Sequence, residues 1–133
     1  MEFAERAMTF KEEPIEPIPI ENFVIDLPDD RIKVIGNIIA MDGSCYIWLG
    51  AYDSLPSMGS LAMAMPTRFE SDPLSSELIR SKSSTSSEMA RRLSKRYKIQ
   101  TFVSCDLPEI YEPHIASIDR RLIEILDKNF TKS

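Results

Sequence analysis

The sequence has few of the residues from which most catalytic and cofactor-binding sites are built. Its 133 residues include four glycines, two cysteines and one histidine. Phosphate-binding loops and dinucleotide-binding turns each need several glycines at fixed spacing, and neither pattern occurs. One histidine with two cysteines in apolar, strand-like segments does not make a usual zinc site. The sequence therefore predicts neither a cofactor nor a metal ion.

Long apolar runs and a secretion signal are also lacking. No run approaches the roughly 18–20 apolar residues of a membrane-spanning helix. The first residues, Met1 to Arg6, are acidic and have no apolar signal-peptide core. Cys45 and Cys105 are expected to be buried thiols in a reducing compartment rather than a disulfide. We therefore expect a protein of the cytoplasm and nucleus that does not contact membranes.

The net charge of −5 is unevenly distributed along the chain. Residues 1–30 carry nine acidic and two basic side chains, a net charge of −7. Residues 31–98 carry six and ten, a net charge of +4, and residues 99–133 carry six and four, a net charge of −2. Domains that bind nucleic acid are usually clearly basic. This pattern argues against a nucleic-acid partner and favours electrostatic selection of a protein partner.

The chain does contain two apolar segments close together, Cys45–Ala51 and Leu61–Met65. In a strand, successive side chains point to opposite faces. Tyr46 and Trp48 therefore share one face of the first segment, whose opposite face is equally apolar. In the second segment the large leucine and methionines share one face and the small alanines share the other. Both faces of both strands need cover, and a partner protein is the expected source of the missing surface.

The remaining pattern predicts an α+β fold with an antiparallel sheet of about six strands, sandwich-like on dimerisation, and two main helices. Asp42-Gly43 predicts a hairpin turn, so we expect the early half of the chain to form an antiparallel meander. The predicted strands are 22–27, 31–41, 45–52, 61–65 and 99–105, with a further short strand weighed near 74–79, and the predicted helices are 86–97 and 113–130. Two helices cover one face of such a sheet. The other face is then either exposed to a partner or buried by closure of the sheet into a barrel.

The domain organisation predicted from composition is simple. Residues 1–20 are acidic and rich in proline, which excludes a helix and favours a flexible, extended segment. The isoleucines between these prolines leave room for docking on an apolar groove. Residues 21–133 are expected to form a single domain. The sequence does not decide whether the serine-rich loop Ser81–Ser87 is modified.

The candidates for catalysis are weak. His114 stands beside a proline at the start of a predicted helix, where a histidine is usually a surface residue. A thiol dyad of Cys105 and His114 is conceivable because Asp106 is adjacent, but nothing nearby is expected to lower the pKa of Cys105. The basic side chains toward the C-terminal end of the first helix form a solvated face that the helix dipole stabilises. The residues favour an interaction module over an enzyme.

Four motifs occur in the order and spacing of one known family. They are Tyr46-Ile-Trp-Leu-Gly-Ala51, Leu61-Ala-Met-Ala-Met65 with Thr67-Arg-Phe69, Ser84-Thr-Ser-Ser-Glu-Met-Ala-Arg-Arg-Leu-Ser-Lys-Arg96 and Gln100-Thr-Phe-Val-Ser-Cys-Asp-Leu107. In these motifs the sequence resembles the proteasome assembly chaperone 4 family. The resemblance covers about half of the chain closely, and the C-terminal helix agrees in position. Residues 1–20 have no expected counterpart in the family, and the loops 52–60 and 70–83 differ in detail.

The resemblance implies a small non-catalytic chaperone that pairs with proteasome assembly chaperone 3. The heterodimer is expected to promote assembly of the alpha-subunit ring of the 20S proteasome. It is expected to bind chiefly the fifth alpha-type subunit and to dissociate before the proteasome matures. Neither ATP nor a metal ion is implied.

Two surfaces are assigned to these partners. We expect the partner interface to contain Tyr46, Trp48, Met63 and Met65. We expect the client-binding surface to contain the loop residues Asp53, Leu55 and Met58 and the helix residues Arg91, Arg92, Lys95 and Arg96. The alternatives are a homodimeric adaptor of the same fold and a small thiol enzyme that uses Cys105 and His114.

Overall fold

The computed structural model describes residues 20–28, 31–53, 57–68, 71–80 and 85–130. In chain order its elements are β1 (Ile20–Leu27), β2 (Ile32–Met41), β3 (Ser44–Ala51), β4 (Leu61–Met65), β5 (Leu74–Ile79), α1 (Thr85–Tyr97), β6 (Gln100–Asp106), a short 3-10 helix (Glu109–His114) and α2 (Ile115–Phe130). The predicted extension up to residue 19, Leu55 and residues 81–84 of the serine-rich loop lie outside the described residues.

The six strands form one open sheet in the order β1-β2-β3-β6-β4-β5. Neighbouring strands are antiparallel except β3 and β6, which are parallel. The predicted α+β fold, with its largely antiparallel sheet and two main helices, is confirmed. The hairpin predicted at Asp42-Gly43 joins β2 to β3, and Gly43 supplies the positive φ of 76° in its turn. Among the described residues β1 and β5 are unpaired edges, so the sheet does not close into a barrel.

The position of β4 differs from the predicted meander. We expected β4 to follow β3 in the sheet, but β6 lies between them. Val103 of β6 pairs with Ile47 of β3 on one side and with Ala62 of β4 on the other. All three side chains have no accessible surface. With β6 between β3 and β4, Val103 is covered by a strand on each side, and this burial outweighs the short connection that would favour pairing β3 with β4.

Both helices pack on the same face of the sheet, here called the helical face. On this face α1 lies against β4, β5 and β6, and α2 contacts β1. Ala62 and Ala64 of β4 have no accessible surface beneath α1, since their small side chains let the helix approach closely. The fully buried side chains that the helices contribute are Met89, Ala90, Leu93, Ile118, Leu122 and Leu126. The apolar core therefore lies on this side of the sheet only.

Candidate interaction surfaces

The face of the sheet opposite the helices, here called the open face, carries large apolar side chains that no described element covers. Strand register places Tyr46 beside Ile39 of β2 and beside Phe102 of β6. These side chains are only partly buried. Nearer the sheet edges exposure rises, to 51% for Val24 and 57% for Leu74. Partly exposed apolar side chains on several adjacent strands are typical of a protein interaction site.

All four residues predicted for the partner interface lie on the open face. Tyr46 and Trp48 project from β3, and Met63 and Met65 project from β4. Phe102 connects the two pairs because it is the register partner of both Tyr46 and Met63. The structure therefore places Tyr46 and Met63 in one row across three strands, with Trp48 and Met65 on either side of that row. Their contact with a partner stays a prediction.

Phe102 is the residue of this row that the sequence-based prediction missed. It alternates with the buried Val103, and this alternation is the signal that places it on the opposite face. The alternation alone does not say that β6 runs between β3 and β4. Without that position, Phe102 cannot be assigned to the same surface as Trp48 and Met63.

Trp48 is held close to the sheet rather than projecting freely from it. A Cβ atom built on Gly50, two residues further along the same face, would lie 2.5 Å from Cζ2 of the Trp48 ring. The absence of a side chain at Gly50 therefore provides the space that the indole occupies. The indole Nε1–H donates a hydrogen bond to the carbonyl oxygen of Ser57 at 2.8 Å. The Trp-Leu-Gly part of the strand motif is thus a single packing unit.

A groove of about 370 Å³ runs beside this indole toward β1. Its lining includes Trp48, Asn22, Val24, Ile35 and Asn37. Apolar walls with two amide groups at their margin suit an apolar side chain from a partner, since the amides can satisfy polar groups beside it.

The loop that precedes β4 is connected to the open face and to β6. The carbonyl oxygen of Ser57 accepts the hydrogen bond from Trp48, and the hydroxyl of Ser57 donates a hydrogen bond to the carboxylate of Asp106. Gly59 lies so close to Asp106 that an added Cβ would be 2.7 Å from its Oδ1. Two of the predicted client-binding residues, Asp53 and Met58, are exposed around this loop. The loop therefore links the predicted partner interface to part of the predicted client surface.

Ser60 holds the same loop to the first turn of α1. Its hydroxyl lies 2.7 Å from Ser86 Oγ and donates to the carbonyl oxygen of Cys105 at 3.1 Å. The Cys105 N–H donates to Ser86 Oγ at 2.9 Å, and Ser104 Oγ donates to the Ser60 carbonyl oxygen at 2.7 Å. These buried serines satisfy one another, which fixes the end of the loop against β6.

The basic side chains of α1 pair largely with acidic side chains of the same chain. Arg92 lies 3.3 Å from Asp119 on α2. Lys95 lies 3.0 Å from Asp72, which precedes β5. Arg96 binds Asp127 of α2 through two bonds of 3.2 and 2.8 Å, and Arg91 donates to Ser75 Oγ at 3.1 Å. Much of the positive charge assigned to client binding therefore joins α1 to its own neighbours.

The structure does not bring the two parts of the predicted client surface together. The loop part meets α1 at its first turn, through Ser86. Arg96 lies ten positions further along the helix, a distance of about 15 Å at 1.5 Å per residue. The basic residues therefore lie along α1 toward the start of β6, while the loop residues lie near its end.

The two aspartates that bind α1 have opposite electrostatic surroundings. Burial raises the pKa of Asp119, and the attraction of Arg92 opposes this only in part. Asp119 Oδ1 is buried without a hydrogen-bond partner. Hydrogen bonds from Arg96 and Tyr97 instead lower the pKa of Asp127, which is only partly buried. One aspartate is thus desolvated and incompletely paired, and the other is stabilised as an anion.

Both thiols have raised pKa values, whereas a thiol enzyme requires a lowered one. Burial, reinforced by the negative charges of Asp106, Asp119 and Glu112, raises the pKa of Cys105 to about 12. Burial also raises the pKa of Cys45 to about 11. A catalytic thiol is activated by a pKa below its usual value of about 8.5. These pKa values argue against the hypothesis that Cys105 is a nucleophile.

The described part of the chain has neither a cluster of metal-ligating side chains nor a membrane-spanning helix. Residues 20–28, 31–53, 57–68, 71–80 and 85–130 contain no group of three or more His, Cys, Asp or Glu side chains placed to hold a metal ion. None of the helices described there is long and apolar enough to cross a membrane.

Known proteins share this sequence pattern and fold. A family model described as proteasome assembly chaperone 4 matches residues 33–107, a range that includes β3, β4, α1 and β6. A Homo sapiens protein named proteasome assembly chaperone 4 is 29% identical over 111 residues, which are 83% of this chain and 86% of that protein. A chain in the crystal structure of a novel chaperone complex for yeast 20S proteasome assembly superposes with a TM-score of 0.70. It is 13% identical, and the superposition covers 84% of this chain and 96% of that chain, which shows the fold alone.

Proposed function

The chain belongs to the proteasome assembly chaperone 4 family, and from this premise we propose that it is one non-catalytic half of a heterodimer. Its role is that of a proteasome assembly chaperone. The single observation that carries the heterodimer proposal is the open face. The row formed by Tyr46, Phe102 and Met63 crosses three central strands, and no described element of this chain covers it.

The proposed partner is proteasome assembly chaperone 3, bound through the open face. A second sheet stacked there would lie about 10 Å away, with side chains from both sheets interdigitating as in a β-sandwich. Trp48 is held in place before binding by Gly50 and Ser57, so little side-chain entropy is lost when it becomes an interface residue. These features suit a preformed interface.

The proposed client is the alpha-subunit ring of the 20S proteasome, bound chiefly through the fifth alpha-type subunit. Binding energy alone is enough for such a role, because a chaperone that prefers correctly ordered intermediates raises their population. Dissociation before maturation is part of the same proposal. The high thiol pKa values of Cys45 and Cys105 support a non-catalytic role, and free thiols support a location in the cytoplasm and nucleus.

Co-expression with proteasome assembly chaperone 3, followed by light scattering and native mass spectrometry, tests the pairing. The expected product is a one-to-one complex that is stable through size-exclusion chromatography. A stable homodimer of this chain that excludes the added partner would support the adaptor alternative. Two separate monomers would contradict the open face as an interface.

Replacing two of the three residues in the open-face row gives a matched test of the same surface. A chain carrying Tyr46→Ser and Met63→Ser should stay folded and lose the partner, because both side chains are only partly buried within the free chain. The control carries Ile110→Ser, which changes an exposed apolar residue of the 3-10 helix rather than of the sheet. Equal loss of pairing in both chains would show that the row is not the interface.

A further inference from the structure

Two loops meet at the end of the sheet where β3 and β6 finish. A cavity of about 220 Å³ lies between them. Gly59 and Ser60 line it on one side, and residues 105–109 with Glu112 line it on the other. Gly50 of β3 is the register partner of Asp106 of β6, so the two strands end side by side and Asp53 follows three residues beyond Gly50. Two segments distant in sequence therefore form one surface.

Exposed apolar side chains surround this cavity. Ile110 is 77% exposed and is the most exposed large apolar residue among those the structure describes. Met58, next to the cavity residue Gly59, is 47% exposed, and Leu107 and Ile115, which line the cavity, are partly exposed. Single exposed apolar residues are ordinary on a protein surface, but several around one cavity indicate a place where another molecule binds.

The charge around these apolar side chains is negative. Asp53, Asp106, Glu109 and Glu112 all lie on the loops that form the surface. Among the described residues neither Glu109 nor Glu112 forms an ion pair with a basic side chain. The acidic charge here is thus available to a partner, whereas three of the four basic side chains of α1 are paired with acids of this chain.

We propose that this loop-end surface, formed by Asp53, Met58, Asp106, Glu109, Ile110 and Glu112, docks a client segment in which a lysine or arginine is flanked by apolar side chains. The cationic side chain enters the cavity beside Asp106 and Glu112. Its apolar neighbours cover Met58 and Ile110. The inference depends on the proposed function only for the client's identity as an alpha-type subunit, and it makes client recognition depend on acids rather than on the basic residues of α1.

The position of this surface suits a protein that holds a partner and a client together. Ser57 precedes Met58, and its carbonyl oxygen accepts the bond from Trp48 on the open face. The loop-end surface is therefore continuous with the proposed partner interface. A partner on the open face and a client at the loop end then contact the neighbouring residues Ser57 and Met58 and use different side chains.

Charge reversal at the loop end tests the proposal on the intact heterodimer. The variant carries Glu109→Lys and Glu112→Lys, which alter exposed side chains and should leave folding and pairing unchanged. Its binding to the purified fifth alpha-type subunit, measured by biolayer interferometry, should weaken about tenfold or more. Added salt should weaken binding of the unaltered heterodimer and have less effect on the variant.

A matched control separates a local effect from a change in net charge. Glu21→Lys with Asp42→Lys makes the same change of charge at the opposite end of the sheet, where both side chains are exposed. Its client affinity should stay within about twofold of the unaltered heterodimer. Equal loss in both variants would overturn the proposal, as would full affinity in the loop-end variant.

A second arm needs no proteasome subunit. The heterodimer with this chain labelled with ¹⁵N is titrated with the amidated peptide Leu-Arg-Leu-Lys-Leu. Amide shifts confined to residues 57–60 and 106–112, and absent from the loop-end variant, would support the surface. No shifts, or shifts centred on α1, would overturn it. If the peptide binds there but no alpha-type subunit does, the proposed client is wrong and the docking surface stands.

Discussion

The two faces of the sheet carry similar side chains but differ in what covers them. Along β3, Ile47 and Leu49 have no accessible surface, whereas Tyr46 and Trp48, which alternate with them, stay partly exposed. All four are large and apolar or aromatic. The comparison shows that hydrophobicity decides that a face will be covered, and that the arrangement of the helices decides whether the chain covers it itself.

Side-chain size sorts the same two faces in β4. Its alanines lie beneath α1, and its methionines lie on the open face. Small side chains let a helix approach the strands, while methionine's flexible side chain adapts to an irregular surface. The strand therefore has one face shaped for a helix of its own chain and one face suited to another protein.

The largest effect that would sharpen this comparison is expected from Ile47→Ala on the helical face. The change should lower the free energy of unfolding of the isolated chain by about 2–5 kcal/mol, because it leaves a cavity in the core. Chemical denaturation measures the loss. Met63→Ala on the open face is the control and should cost clearly less in the isolated chain, since Met63 is partly exposed there. Similar losses for both would break the distinction between the faces.

The next effect concerns pairing rather than folding. Trp48→Ala should weaken association with the partner by about 2 kcal/mol or more if the indole is a central interface residue. Isothermal titration calorimetry measures the affinity, and circular dichroism confirms the fold. Ile110→Ala removes an equally apolar but loop-end side chain, so its pairing affinity should be unchanged. A folded Trp48→Ala chain with unchanged affinity would refute this position for the interface.

A smaller effect should follow from filling the space beneath the indole. Gly50→Ala places a Cβ where the Trp48 ring lies, so the ring must move away from the sheet. The expected loss is about 1–3 kcal/mol in the free energy of unfolding, as for other overpacked sites. The indole should also lose its bond to Ser57, which a shift of its Nε1–H resonance would report. Gly43→Ala cannot serve as the control because Gly43 has a positive φ, which alanine adopts only with strain. Ala40→Gly is used instead and measures the effect on stability of changing a small side chain in the neighbouring strand.

The smallest effects concern the ion pairs that hold the helical face together, and they differ in sign. The folded-state pKa of Asp119 is raised above 3.8, so its ionisation destabilises the fold. Protonated Asp119 contributes stability at low pH, and this stability is lost as the pH rises through the raised pKa. The folded-state pKa of Asp127 is lowered, so its contribution is present above 3.8 and is lost as the pH falls through the lowered pKa.

Single variants isolate these two contributions from those of other acids. The free energy of unfolding is measured between pH 3 and pH 7 for the unaltered chain, for Asp119→Asn and for Asp127→Asn. Relative to Asp119→Asn, the unaltered chain should lose stability as the pH rises from about 3.8. Relative to Asp127→Asn, it should gain stability over the acidic range. Two differences of the same sign would contradict the contrast between the buried and the exposed pair.

Local features of the fold were predictable because their causes are local. The turn at Asp42-Gly43 follows from the φ angles that those residues accept, and alternation along β3 and β4 identified which side chains share a face. The serine bonds that hold the loop before β4 had no comparable signal, since Ser60 and Ser86 are 26 positions apart. The ion pair of Arg92 with Asp119 likewise depends on how two helices pack.

The sequence by itself determined the strands, the helices, the alternation that gives β3 and β4 two apolar faces, and the shortage of groups for catalysis. Only the tertiary structure decided that β6 lies between β3 and β4 and that both helices cover one face. It also decided that most of the charge on α1 is paired within the chain. The physical reason is that short-range preferences act between neighbours in sequence, whereas burial and charge pairing depend on which distant segments come together.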